Sequence, residues 1–201
     1  MQIRSQRRDA LEHRRRILQT AHQLFMEKGI EEVSMHQIAK GAGVGQGTLY
    51  RQYGDKGEIC TDLMQDSFER FTAHVNDYME RTAGATPRER ILYFVHECLD
   101  YLVDKMPFIC TIQQSTLGAG NTNFYESDPY RFVHLTFASL IREEHERTGR
   151  MPQLDPEYAA HAMIAVIGPG ISRLLAEGRI ERVKLEEQFR VLFIDPFFAS
   201  V

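Results

Sequence analysis

Apolar residues recur along this chain at three- and four-residue intervals, and nowhere do Val, Ile and Thr alternate with polar residues over the length of a strand. The pattern is all-α. Ile17, Ala21, Leu24 and Phe25 form one stripe, which predicts a helix over 11–28 closed by Gly29 in the C-terminal cap position. Ser34 then offers an N-cap, Gln37 completes a capping box, and Val33 with Ile38 occupy the staple positions. That helix has to be short, because Gly41 and Gly43 follow within two turns. A second short helix, 46–52, lies between Gly45 and Gly54, and Asp55 with Glu58 opens a long one over 56–81. Thr86-Pro87 (with Glu89), Asp128-Pro129 and Asp155-Pro156 each put proline in a first helical turn, where its missing N–H is harmless. They predict helices over 87–105, 129–147 and 156–177, the last kinked at Gly168-Pro169-Gly170. A shorter helix is expected after Pro107 and a final one over 181–194, with loops at 118–127 and 149–154.

Six of the chain's 14 glycines fall between Gly41 and Glu58. Two short helices parted by a glycine turn fit a helix-turn-helix unit. Ile38 and Leu49 would supply its apolar contacts, Ala39 the small residue at the helix crossing, and Gly43 the positive φ of the turn. In such a unit the second helix enters the major groove. Gln46 suits an adenine edge, and Arg51 suits guanine or a phosphate. Thr48 and Tyr50 offer hydroxyls or a contact to a thymine methyl, while Gly47 lets the backbone approach closely. A turn between two core helices, with its polar residues merely solvated, is the plainer alternative; it needs neither the polar cluster nor the cap-and-staple set.

Charge sharpens this picture. Net charge is -4, yet residues 1–56 hold ten Lys/Arg against six Asp/Glu, and residues 57–201 hold fourteen against twenty-two. A basic head on an acidic body points to a polyanion partner for the head. Arg4, Arg7 and Arg8 fall in a basic arm, 1–10, that reads as disordered. Hydrophobic content of 43% and charged content of 26% are those of a soluble globular protein. The longest apolar runs, such as 163–167, are too short to span a bilayer, so no membrane partner is expected. No charged n-region followed by an apolar stretch opens the chain, so no secretory signal is expected. Three cysteines, Cys60, Cys98 and Cys110, show no paired motif; they read as reduced thiols of a cytoplasmic protein.

The segment SMHQIAKGAGVGQGTLYRQYGDKGEI resembles the DNA-binding segment of the tetracycline-repressor (TetR) family of bacterial transcriptional regulators. The likeness covers about 14–63 and follows the order I-A-x-x-A-G-V-x-x-G-T-L-Y-x-x-Y-x-x-K, with departures at Gly45, Gly54 and Gly57. It implies phosphate contacts from Ser34, Tyr53 and Lys56, and groove contacts from Gln46, Gly47, Thr48, Tyr50, Arg51 and Gln52. It also implies two domains: a helix-turn-helix DNA-binding domain at 11–56, and a larger helical effector-binding and dimerisation domain at 57–201.

The body adds candidates of its own. Phe68, Phe71, Phe94, Cys98, Tyr101, Phe108, Gln113, His134 and Phe137 could line an apolar cavity with a few orienting polar groups; the alternative for each aromatic is plain core. Ile171, Leu174, Phe189, Leu192 and Phe193, on the last two helices, read as a dimer interface, with packing onto the chain's own body as the alternative. His96, His134 and His161 lack metal-ligand spacing, so no metal is expected. There is no nucleophile elbow and no phosphate loop, so neither catalytic residues nor a cofactor are expected. The resulting expectation is a homodimeric repressor, released from a palindromic double-stranded operator by a small lipophilic or aromatic effector. A DNA-binding regulator or architectural protein without an effector is the alternative, and an enzyme using the aromatic cavity a remote one.

Overall fold

The computed structural model describes residues 2–119 and 126–198, and among these every regular element is a helix. In chain order they are α1 (Gln2–Lys28), α2 (Met35–Ala42), α3 (Gln46–Gln52), α4 (Lys56–Arg81), α5 (Pro87–Ala119), α6 (Asp128–Thr148), α7 (Pro156–Ile167), α8 (Pro169–Ala176) and α9 (Arg182–Phe189), which runs on into a π-helical turn, Arg190–Ile194. No described helix is long and apolar enough to cross a membrane. Most of the loop expected at 118–127 lies outside the described residues.

The caps form as their residue types require. Ser34 accepts from the Gln37 amide while the Gln37 side chain accepts from the Ser34 amide, closing the capping box. Thr86 and Glu89 make the same reciprocal pair. Asp155 caps α7, and Ser127, one residue before the expected Asp128, caps α6. Gly29, Gly43 and Gly149 stop their helices at positive φ, a region glycine enters without a Cβ penalty.

Three helix boundaries differ from expectation. The first helix begins at Gln2 rather than 11, so the segment read as a disordered arm is helical. Residues 2–28 contain neither Gly nor Pro and are rich in Arg, Gln, Glu, Leu and Ala, all strong helix formers. Pro107 does not divide its helix; α5 runs straight through it. The kink expected at Gly168 is instead a full break between α7 and α8, because Gly168 takes an extended conformation ahead of Pro169.

The chain divides into two compact units, one holding residues up to Ser67 together with α5 from Pro107 onward, the other holding Phe68–Met106 and the later helices. In the first unit, Ile17, Phe25, Val33, Ile38, Leu49 and Ile59 build one core. At the α1–α2 crossing, a Cβ on Gly41 would lie 2.7 Å from Thr20 Cγ2. Gly41→Ala is therefore expected to destabilise the first unit by about 1–3 kcal/mol, the usual cost of overpacking. Adding Thr20→Ala removes the clashing methyl and should restore most of the loss in a denaturant titration. The second unit packs α6 on α7 around Phe94, Phe137, Leu140, Met163 and Phe189.

Candidate nucleic-acid interface

The first unit positions α3 through one anchor. Leu49 is fully buried, whereas Gln46, Gly47, Tyr50 and Arg51 are exposed, so a single outward strip carries four of the expected groove residues. Thr48 and Gln52 flank it, half-buried. Arg51 has no hydrogen-bond or ion-pair partner among the described residues, which leaves its planar fork of donors open. Open space surrounds the position of a Gly47 Cβ, consistent with a surface that another molecule can approach. Gly45, in place of a side-chain cap, starts the helix with no side-chain hydrogen bond.

Behind the strip, a polar frame ties α1, the α2–α3 turn and α4 together. Arg16 donates to the Gly43 carbonyl at 3.1 Å. Asp62 of α4 accepts from the Tyr53 hydroxyl and, at 2.9 Å, from Arg14 Nε. Tyr53 is only 5% exposed; burial and the Asp62 carboxylate both push its phenol well above the ordinary range. Lys56 spends two of its three N–H donors on the carbonyls of Ile30 and Glu31, at 2.7 and 3.1 Å. Tyr53 and Lys56, which the resemblance casts as phosphate ligands, thus make contacts inside the unit, and Lys56 keeps one N–H beyond its two carbonyls. Ser34 is exposed, with its hydroxyl engaged in the capping box. One neighbour of α3 escapes sequence reasoning altogether: exposed His36 of α2 meets the Gln46 amide. Only the fold brings residues ten apart into contact, so the spacing carried no signal.

The ligand candidates separate. Phe68, Phe71 and Tyr101 form a nest of rings with Phe132, which the candidate set omits; Phe71 and Tyr101 lie 4.7 Å apart, and Phe68 and Phe132 meet edge to face at 6.0 Å. Phe132 leads on to Phe94, and Phe94 to Phe137 at 4.9 Å, with Cys98 buried in the same core. Phe108 does not belong with them: α5 carries it into the first unit, edge-on to Phe25 at 6.4 Å. Gln113 follows on the same stretch of helix, but its side chain lies outside those described. His134 lies tilted against His161, ring centroids 4.1 Å apart, and its Nε2 meets the Glu157 carbonyl at 3.2 Å. No group of three or more His, Cys, Asp or Glu among the described residues could hold a metal. A groove of about 320 Å³ lies elsewhere in the second unit, between α5 and α9, lined by Leu92, Val95, His96, Glu186 and Phe189 among others.

The dimer candidates divide in the same way. Phe189 is 1% exposed and belongs to the protomer's own core, with Phe193 packed on it at 5.0 Å and Ile171 also against that core. This corrects its assignment to a partner surface: α9 turns its Leu185–Phe189 face inward. Leu174 is half-buried, and Leu192 is 60% exposed, as are Val183 (78%) and Val191 (45%) to differing degrees.

The cysteines make a separate test of this packing. Burial pushes the Cys60 thiol up to about 12 and raises Cys98 as well, so neither forms appreciable thiolate near pH 8. A maleimide reagent is expected to label Cys110 in the native protein and the other two only on unfolding, as read by intact-mass spectrometry.

Known proteins fit this arrangement. Residues 17–62 match the family model described as bacterial regulatory proteins, tetR family. An HTH-type transcriptional regulator of Staphylococcus aureus strain MRSA252 is 33% identical over 139 residues, 69% of this chain and 72% of the relative. Among solved structures, the chain is similar to Thermus thermophilus FadR, a TetR-family repressor in complex with lauroyl-CoA (TM-score 0.72, 15% identity, 94% of this chain and 96% of that one). It is also similar to a transcriptional regulator of Saccharomonospora viridis in complex with choline (TM-score 0.68, 21% identity, 93% and 98% covered). With a buried Leu49 behind an exposed strip of polar readers, a family model lying on that helix-turn-helix, and a relative matched over most of both chains, the protein belongs to the TetR family of DNA-binding transcriptional regulators.

Proposed function

We propose that the protein is a homodimeric repressor that binds a near-palindromic DNA operator through α3 and leaves it when a small lipophilic or aromatic effector enters the second unit. The observation that carries the reading is the outward strip of α3, with an unengaged Arg51 and an exposed Gln46 on a helix held by buried Leu49. The base-reading set is Gln46, Gly47, Thr48, Tyr50, Arg51 and Gln52, with Ser34 at the rim; Tyr53 and Lys56 hold the unit in shape. Two copies are needed to place recognition helices in successive major grooves, roughly 34–36 Å apart. Exposed Leu192, Val191 and Val183 of the last helix supply an apolar surface for that pairing. Its duplex target and its unpaired thiols favour a cytoplasmic location. No catalytic step enters this reading.

The ring nest of Phe68, Phe71, Tyr101 and Phe132 is the proposed effector seat, apolar except for one phenol. Its rings pack on one another, so an effector binds by parting them. Lauroyl-CoA and choline in the similar structures support a small-molecule role for this fold. Helix α4 runs unbroken for 26 residues, about 39 Å at 1.5 Å per residue, with Lys56 at its start and the nest residues Phe68 and Phe71 near its middle. An effector that tilts α4 alters the placement of α3 through the Asp62–Tyr53 link.

Selection of the full-length protein against a randomised duplex pool tests the reading. A near-palindrome with half-sites about one helical turn apart is expected; enrichment of no sequence would overturn it. By linkage, an effector that releases the operator must lose affinity by the same factor when the operator is bound, typically about 5- to 150-fold. Isothermal titration with and without saturating operator measures both sides, and equal affinities would remove the effector from the mechanism.

A further inference from the structure

We infer that His36 is a specificity-determining residue of the operator interface, acting through Gln46 rather than by touching a base. This rests on reading α3 as the recognition helix. His36 is the second residue of α2 and Gln46 the first of α3; both are exposed, and the left-handed Gly43 at the turn between their helices brings them together. The Gln46 amide nitrogen meets His36 Nδ1. With the amide placed this way its nitrogen donates and Nδ1 accepts; with the amide reversed, the other imidazole tautomer would complete the same pair.

That bond uses one of the two N–H donors of Gln46. The other N–H and Oε1 remain, and this donor–acceptor pair is the one an adenine N7/N6 edge accepts. A glutamine at an exposed helix start otherwise samples several rotamers and both orientations of its amide, and binding has to freeze them. With one of its atoms held by His36, the amide is confined to one rotamer, and its remaining hydrogen-bonding atoms are presented from a fixed place. His36 is thus a positioning residue: it holds the Gln46 side chain in place at the start of α3.

The test uses full-length protein and a randomised duplex pool at one salt concentration, with wild type, His36→Ala, His36→Asn, Gln46→Ala and the His36→Ala/Gln46→Ala double variant. Gln46→Ala identifies the base position that Gln46 reads. His36→Ala is expected to lower the preference at that same position by about tenfold, leaving other positions unchanged. His36→Asn, whose Oδ1 accepts near where Nδ1 did, is expected to keep it, and His36→Ala should change nothing further in the Gln46→Ala background. Base preference at one position is a readout that a purely structural histidine would not move. The inference is overturned if His36→Ala leaves that preference intact, weakens all sequences equally as loss of a phosphate contact would, or still acts when Gln46 is alanine. If wild-type protein enriches no sequence, the reading of α3 falls first and the inference falls with it. If wild type selects but Gln46→Ala changes no position, only the inference falls.

Discussion

Phe189→Asp is expected to unfold the second unit, whereas Leu192→Asp, three residues on, should leave the protomer folded and part the dimer. Phe189 is 1% exposed, shares a core with Leu185, Ile194 and Phe198, and packs its ring on Phe193. Truncating such a ring costs about 3–5 kcal/mol by lost burial and the cavity left behind. An unpaired carboxylate in the same place adds several kcal/mol more, which exhausts most of a net stability of about 5–15 kcal/mol. Leu192 is 60% exposed, so a charge there meets water in the free protomer and costs little. It costs much in an apolar interface. Thermal melting separates the two variants first: loss of the cooperative transition for Phe189→Asp, little change for Leu192→Asp. Sedimentation then reads the assembly of the second variant. A native Phe189→Asp protein would refute the core placement, and a persisting Leu192→Asp dimer would move the interface elsewhere.

Arg51→Ala should cost more DNA affinity than any other single truncation in the first unit. Its guanidinium is exposed and unengaged, so removing it leaves the protomer intact and takes away only what it does for a partner. A base contact of this type is worth about 1–3 kcal/mol, and a two-fold complex loses it twice, so affinity for the operator should fall by about 30-fold to 10⁴-fold. Non-operator duplex should be affected far less. Lys56→Ala provides the contrast. Its ammonium holds the Ile30 and Glu31 carbonyls, so the variant should lower the melting temperature and weaken all duplexes alike. Fluorescence anisotropy over a salt series distinguishes the two roles: each lost phosphate contact reduces the log–log salt slope by about 0.9. Equal losses on operator and random duplex for Arg51→Ala would make it a phosphate ligand and not a base reader.

Much of this molecule was legible along the chain because the signals involved are local. Capping boxes at Ser34 and Thr86, prolines in first turns and glycines at positive φ act within four residues, and each appears where the sequence placed it. The recognition helix was legible for the same reason, its bounds set by Gly45 and by Tyr53 with Gly54, and its one inward residue, Leu49, given by the period of the helix. Pro107 was misleading because a proline's local cost can be outweighed by burial on either side of it. Met106 before it and Phe108 after it both pack into cores, and α5 stays continuous.

The sequence by itself thus determined the helices, their caps and the strip of α3 that faces outward, because short-range hydrogen bonding and a 3.6-residue period dictate them. Only the tertiary structure decided what each side chain does with its polar atoms and its surface. Tyr53 and Lys56 bear groups suited to phosphate, but the fold spends them on Asp62 and on two carbonyls. Phe189 and Leu192 are both apolar residues of one terminal segment, but one is core and the other surface. Phe108 left the ring nest, Phe132 joined it, and His36 met Gln46. Hydrophobicity and hydrogen-bonding capacity belong to a residue; the partner that uses them is set by contacts between residues distant along the chain, and no local pattern encodes those.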